Sequence, residues 1–246
     1  MHPDPLEFLY KYDDLYDREL VGLIASCFAY GSVWQIIKTV QKILEQIGPP
    51  RSFVSEATQN NLHAIFKDFK YRFTTGEELG KLILGMKRVI LDYGSLQACF
   101  LEGYSNKDDN IIEGLSFLVH QLSSVFDSRP RSLLPRPKAG SACKRLNLFL
   151  RWMVRKDDVD PGGWDNVRPS KLIIPMDVHM GRISRSLKLT SRNQSDLKAA
   201  LEVTEAFRRI EPEDPVRYDF CLTRLGIRED LSPDIFLQGC GVTAPG

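Results

Sequence analysis

Hydrophobic positions recur with helical spacing along almost the whole chain. Leu20, Leu23, Ile24, Cys27 and Phe28 follow the i, i+3, i+4, i+7, i+8 spacing of a buried helical stripe. Gly31 and Ser32 break it. Val33, Ile36, Ile37, Val40 and Leu44 then begin a second amphipathic helix that ends at Gly48-Pro49-Pro50. The same spacing predicts helices near 56–70, 77–92 and 95–104, and a stronger one over 111–126 with Ile111, Leu115, Leu118, Leu122 and Val125 on one side. Residues 127–141, with three prolines and Gly140, read as a loop. A helix over 142–155 would bury Leu146, Phe149, Leu150 and Met153, and residues 157–170 are turn-forming. Short helices are predicted near 178–188, 195–210 and 213–226, with the last twenty residues irregular. No alternating strand stands out, and Pro175 stops the extended character of Lys171-Leu-Ile-Ile. The expected fold is all-α.

Composition narrows the class. A chain of 246 residues, 43% hydrophobic and 26% charged, is ordinary for a globular protein, as one large domain or two interleaved subdomains. No apolar run approaches the roughly 18–20 residues that span a bilayer, so no membrane partner is expected. The opening MHPDPLEFLYKYDD lacks a basic segment followed by an apolar one, so no secretory signal is expected either. Cys27, Cys99, Cys143, Cys221 and Cys240 are scattered, with no Cys-x-x-Cys pair. That argues against a zinc ribbon, an iron–sulfur cluster or a disulfide framework and favours a reducing cytoplasm. No metal and no cofactor are expected.

Charge changes the picture. From Arg129 to Lys156 the chain has nine Lys or Arg and no Asp or Glu. Residues 1–128 carry 12 basic against 17 acidic residues, and 157–246 carry 12 against 15, so a molecule of net charge +1 concentrates its positive charge in 28 residues. A helix beginning near Lys144 would expose unpaired backbone N–H groups and a partial positive charge, which suits an anion. The small Gly140-Ser141-Ala142 would admit a phosphate close to that backbone, with Arg136, Lys138 and Arg145 adding charge. Lys144, Asn147, Arg151 and Arg155 recur at helical steps and share one face opposite the apolar stripe. That face is either a solvated surface or a phosphate-binding one, and the absence of acids favours phosphate.

Two residues bear candidate chemistry. Lys144 stands at a helix start, and a lysine amine is a nucleophile only when neutral; otherwise it is a phosphate contact. Asp177 precedes a short helix with Met180, Ile183 and Leu187 on its apolar side, and so reads as an N-cap. A capping carboxylate is held rigidly, as a catalytic group must be. His179 and Arg182 share one side of that helix, Arg182 as a phosphate contact and His179 as a contact or a structural residue. Phe28, Tyr30, Trp152 and Trp164 are the aromatic residues near these segments, and Trp164, in a polar loop, is the best candidate for a base pocket, with Phe28 and Trp152 beside it.

The stretch Ile174-Pro-Met-Asp-Val-His-Met-Gly-Arg-Ile-Ser-Arg-Ser-Leu-Lys-Leu resembles the P-V-D-T-H-V-x-R-V-x-x-R-L-G-L signature of helix-hairpin-helix/Gly-Pro-Asp DNA glycosylases, with Pro175, Asp177, His179, Arg182, Arg185, Leu187 and Leu189 in register. The segment from Glu19 to Ser32 resembles an early core helix of that superfamily, without its usual Gln. The block from Gly140 to Arg155 resembles a bacterial family of about this length, a divergent branch of the same superfamily, and the likeness covers most of the chain. Eight residues, Arg136 to Cys143, separate Pro135 from Lys144 where the superfamily has a shorter hairpin with two glycines.

The resemblance implies an all-α fold of two helical subdomains with a helix-hairpin-helix element. It divides the chain into a helical subdomain over 19–126, a hairpin and catalytic segment over 127–190, and helices over 191–246 that pack back with the N-terminus. It implies a base-excision glycosylase acting by base flipping, with or without a lyase step, in which Asp177 is the essential carboxylate and Lys144 the amine. The long separation of Lys144 and Asp177 is closest to the 8-oxoguanine branch and makes an oxidised purine the leading substrate. Arg136, Lys138, Gly140, Ser141, Arg145, Arg151, His179 and Arg182 would face lesion-bearing double-stranded DNA. A cytoplasmic, nucleoid-associated monomer is expected. Two rivals stand beside it: a hairpin protein that grips DNA or structured RNA without chemistry, and a helical scaffold whose basic stretch meets an acidic protein.

Overall fold

A computed structural model describes residues 2–127, 132–225 and 233–240. The architecture is predominantly helical. A 3-10 turn at Pro5–Lys11 is followed by α1 (Leu15–Cys27), α2 (Val33–Ile47), α3 (Pro50–Glu56), α4 (Gln59–Phe66), a two-stranded antiparallel hairpin of β1 (Lys70–Tyr71) and β2 (Thr74–Thr75), then α5 (Gly76–Tyr93), α6 (Leu96–Glu102) and α7 (Ile112–Ser123). After a long connection come α8 (Lys144–Val154), α9 (Val178–Ser186), α10 (Leu197–Arg208), α11 (Asp219–Leu225) and α12 (Pro233–Gly239).

Local chemistry sets many of these boundaries. Asp14, Thr58, Ser95, Asp177 and Asp196 each accept a first-turn backbone N–H at the start of their helices. Thr75 and Glu78 form a reciprocal capping box at the start of α5. Three elements depart from the sequence reading. Pro49-Pro50 does not only end α2: Pro50 opens α3, because proline at the first helical position has no N–H to leave unpaired. The β1–β2 hairpin interrupts the helix expected over 56–70, with strands too short to show alternation. The last twenty residues, expected irregular, contain α12 in their described part.

Two helices organise the packing. Helix α1 runs against the N-terminal 3-10 turn, α3 and α8, and Gly22 lets it approach Leu9, Phe149 and Met153. Helix α5 lies against α3, α4, α6 and α7, with Gly85 against the backbone of Leu122, where a Cβ would sit 2.3 Å from the carbonyl oxygen. One apolar core joins these groups and extends from Leu6 to Leu222. Glu19, on α1, is a buried charged residue against this core. Its carboxylate accepts the N–H groups of Leu96 (2.7 Å) and Gln97 (3.1 Å) at the start of α6. The Trp164 indole lies close by without completing a hydrogen bond, and burial pushes the carboxyl up to about 7. Arg224 of α11 reaches Asp4, ahead of the N-terminal 3-10 turn, at 3.4 Å. Among the described residues, no helix is long and apolar enough to cross a membrane.

Candidate functional site

Two helix starts converge on Lys144 and Asp177. Lys144 is the first residue of α8, and Asp177 caps α9. The two oxygens of Asp177 have separate tasks. Oδ1 accepts the Met180 N–H at 2.8 Å, and Oδ2 lies 3.1 Å from Lys144 Nζ. The cap fixes the carboxylate so that its second oxygen is aimed at the amine. The extended, buried Ile173-Ile174-Pro175-Met176 leads into this cap, tethered by Ile174 N–H to Thr204 Oγ1 at 3.0 Å. The pair stays reachable, with side chains 35% exposed for Lys144 and 15% for Asp177. Cys143, directly before Lys144, is buried, and burial pushes its thiol up to about 11. A reactive thiolate is therefore not available at the start of α8.

The α8 start is shaped by a left-handed backbone at Gly140 (φ 86°) and Cys143 (φ 46°). No atom lies within 4 Å of a Cβ built on Gly140, so its backbone angle, not close packing, favours glycine there. The Gly140 carbonyl accepts the Leu197 N–H at 2.9 Å, and Ser141 bridges to Asp196, which ties the loop to the start of α10. Gly140, Ser141 and Arg136 are exposed, as are His179 and Arg182 on α9 beside Asp177. Lys138 is exposed and paired with Glu113 at 2.6 Å. Val178, between Asp177 and His179, is 77% exposed, an apolar surface residue at the site that the sequence reading passed over.

Several expected DNA contacts are overturned. Arg145 is half-buried: it donates to the carbonyls of Cys27 (2.6 Å) and Ser132, and stacks on Tyr30 at 4.8 Å, so its fork braces the connection before α8 against α1. Arg151 is buried and shared between Asp160 and Asp219. Arg155 is buried too, bound by Asp157, Asp160 and Asp214. Asn147 completes this face by donating to the Ala142 carbonyl at 2.9 Å. The polar face of α8 is thus an internal ion cluster, not a phosphate surface. Buried guanidinium groups need carboxylate partners, and these come from residues 157–219, beyond the stretch whose lack of acids suggested free charge. Arg129 and Arg131 lie outside the described residues.

The cluster backs directly onto the site. Burial works against the charge of Arg151, but Asp160 and Asp219 overcome it and raise its pKa. Burial pushes Asp219 up to about 6; Arg151 opposes that rise, and the Asp177 charge adds to it. Helix α11, which holds Asp219, packs against α9.

The base-pocket expectation is overturned as well. Trp164, Trp152 and Phe28 are fully buried. The polar loop folds back on α8 through Gly162 N–H to Trp152 O (3.1 Å) and Trp164 N–H to Met153 O (2.8 Å). It thereby delivers the Trp164 ring between Phe100 and Phe149, at 5.6 and 5.3 Å between ring centres, and leaves no face for a base. A cleft of about 1120 Å³ lies elsewhere, between α4, the β-hairpin and α5, bordered by His63, Lys67, Lys70 and Lys81, and includes neither Lys144 nor Asp177.

Neither a curated protein nor a solved structure matches the chain. A family model described as a protein of unknown function (DUF2400) matches residues 4–228, and the chain belongs to that family.

Proposed function

We propose that the chain is a DNA base-excision glycosylase whose chemistry is performed by Lys144 and Asp177, with an accompanying lyase step. The observation that carries this reading is the 3.1 Å contact between an amine and a carboxylate, each at the start of a helix and both reachable from solvent. A protein that only grips nucleic acid needs cations, not an acid positioned to take up a lysine proton.

The chemistry follows from that geometry. Asp177 Oδ2 accepts a proton from Lys144 and leaves a neutral amine. The amine forms a bond to C1′ of an extruded nucleotide as the C1′–N bond to the damaged base breaks, and the base departs with the bonding electron pair. Asp177 hands that proton to the departing base, and the carboxylate so restored, fixed by its Met180 hydrogen bond, stabilises positive charge on the sugar. Loss of the second amine proton and opening of the ring give a Schiff base, from which removal of a C2′ proton expels the 3′ phosphate. Arg136, in the connection before α8, and His179 and Arg182, on α9 after Asp177, are exposed and would meet phosphates, and the leading substrate class is an oxidised purine.

Base release from a panel of lesion-bearing duplexes tests this. Asp177→Asn abolishes release while leaving duplex binding largely intact; unchanged release in that variant removes the carboxylate from the mechanism.

A further inference from the structure

The β1–β2 hairpin has no part in the Lys144–Asp177 chemistry, yet it presents Phe73 with 79% of its surface exposed, more than any other large apolar residue among the described residues. A lone exposed aromatic is unremarkable on a mobile loop. This one stands on a braced support. Tyr71 and Thr74, on either side of the Arg72-Phe73 turn, are buried and paired across the ladder. The Tyr30 hydroxyl bonds both of them, at 3.1 Å to the Tyr71 carbonyl and 2.9 Å to Thr74 Oγ1, and the Tyr71 hydroxyl donates back to the Tyr30 carbonyl. Arg72 takes a left-handed backbone (φ 52°) and lays its guanidinium against Gly31, which has no Cβ to obstruct it. The turn is therefore fixed by side chains on three sides, with the phenyl ring left pointing away from the core.

The surroundings indicate what the ring meets. Lys67, Lys70 and Arg72 are exposed at the hairpin; the exposed acids near them are Asp68, Glu77 and Asp127, of which Glu77 and Asp127 are both paired with Lys81. The support also reaches the start of α8: Tyr30 lies under the guanidinium of Arg145, the residue that follows Lys144 in the chain. Extruding a nucleotide leaves a gap in the base stack, and a rigid aromatic side chain entering it restores stacking at little ordering cost.

We infer that the β1–β2 hairpin is a second nucleic-acid contact, in which Phe73 enters the base stack of a duplex beside an extruded nucleotide while Lys70 and Arg72 lie along the flanking phosphates. This rests on reading Lys144 and Asp177 as a base-excision site. It assigns a role to a hairpin that is separate from the chemistry, so the two can fail separately.

The test uses the full chain and two duplexes of one sequence, one intact and one carrying a tetrahydrofuran abasic analogue, with binding followed by fluorescence anisotropy over a range of salt. Phe73→Ala weakens binding to the abasic duplex about ten- to a hundredfold. It weakens binding to the intact duplex far less and leaves the salt slope unchanged. Phe73→Tyr restores binding, and Arg72→Ala lowers the salt slope by about one. Phe73 is exposed, so the two Phe73 variants retain the wild-type melting temperature. If wild type binds the abasic duplex and Phe73→Ala binds it equally well, or loses affinity equally for both duplexes, the hairpin assignment falls and the site reading stands. If wild type binds neither duplex, both fall. If Phe73→Ala changes only the oligomeric state, the hairpin is a self-association surface and the assignment is wrong.

Discussion

Replacing Asp160 by Asn should cost the protein more stability than a surface charge change could, because one fully buried carboxylate serves two buried guanidinium groups. Asp160 Oδ1 accepts from Arg151 Nε (3.2 Å) and Nη2 (3.1 Å), and Oδ2 accepts from Arg155 Nη1. Asn keeps the volume but loses the charge, and it turns one acceptor oxygen into an NH2 group that faces a guanidinium donor. Breaking one partner out of a buried ion pair costs about 3–5 kcal/mol. Arg151 still has Asp219, and Arg155 still has Asp157 and Asp214, so the expected loss lies near the lower limit. About 3 kcal/mol is a large share of the roughly 5–15 kcal/mol that stabilises a typical domain. At about 2–4 °C per kcal/mol for a chain of this size, it corresponds to a melting point lower by about 6–12 °C. Urea unfolding at neutral pH, with the slope of free energy against urea unchanged, measures it directly. A loss below about 1 kcal/mol would mean that water reaches the two guanidinium groups, and would return Arg151 to the list of free cations able to meet phosphate.

Glu19 makes stability depend on pH in a direction opposite to that of a salt-bridged carboxylate. Burial lifts it from 4.5 to about 7, so the native state holds its proton more tightly than the unfolded chain does. Its contribution is full below about pH 4.5 and is lost as pH rises through about 7, a change of roughly 3 kcal/mol. Glu19→Gln should flatten that slope in urea titrations and lower stability, since the side-chain NH2 of Gln would face a backbone N–H that a carboxylate oxygen now accepts; an unaltered slope refutes the assignment. Gly85→Ala should destabilise by about 1–3 kcal/mol or more, because its Cβ would overlap the Leu122 carbonyl and force α5 away from α7. A thermal melt within a degree of wild type would show that the two helices separate freely.

Where the sequence was legible, the reason is periodicity. The apolar stripes of α1, α2, α5, α7 and α8 are long enough to show their spacing, and the Asp177 cap announced itself by its position before Met180. The hairpin was hidden because two-residue strands have no pattern. The ion cluster was hidden for a different reason. Counting charge within 129–156 is blind to Asp157, Asp160, Asp214 and Asp219, which fold onto α8 from later in the chain. Trp164 misled in the same way: a polar loop suggested an exposed ring, but two backbone hydrogen bonds to α8 turn that ring inward. The basic stretch therefore divides into structural cations, Arg145, Arg151 and Arg155, and a smaller exposed set that includes Arg136 and Lys144's surroundings. The expected amine–carboxylate pair is close in space, although its members stand 33 positions apart in the chain.

That pair is tested most directly by borohydride trapping on duplexes carrying assorted base lesions. Reduction fixes the Schiff base, so a covalent protein–DNA adduct should form with wild type and with Lys42→Ala, whose side chain is exposed on α2, and should vanish in Lys144→Ala. An adduct that persists in Lys144→Ala, or the absence of any adduct with wild type across the lesions, would contradict Lys144 as the nucleophile.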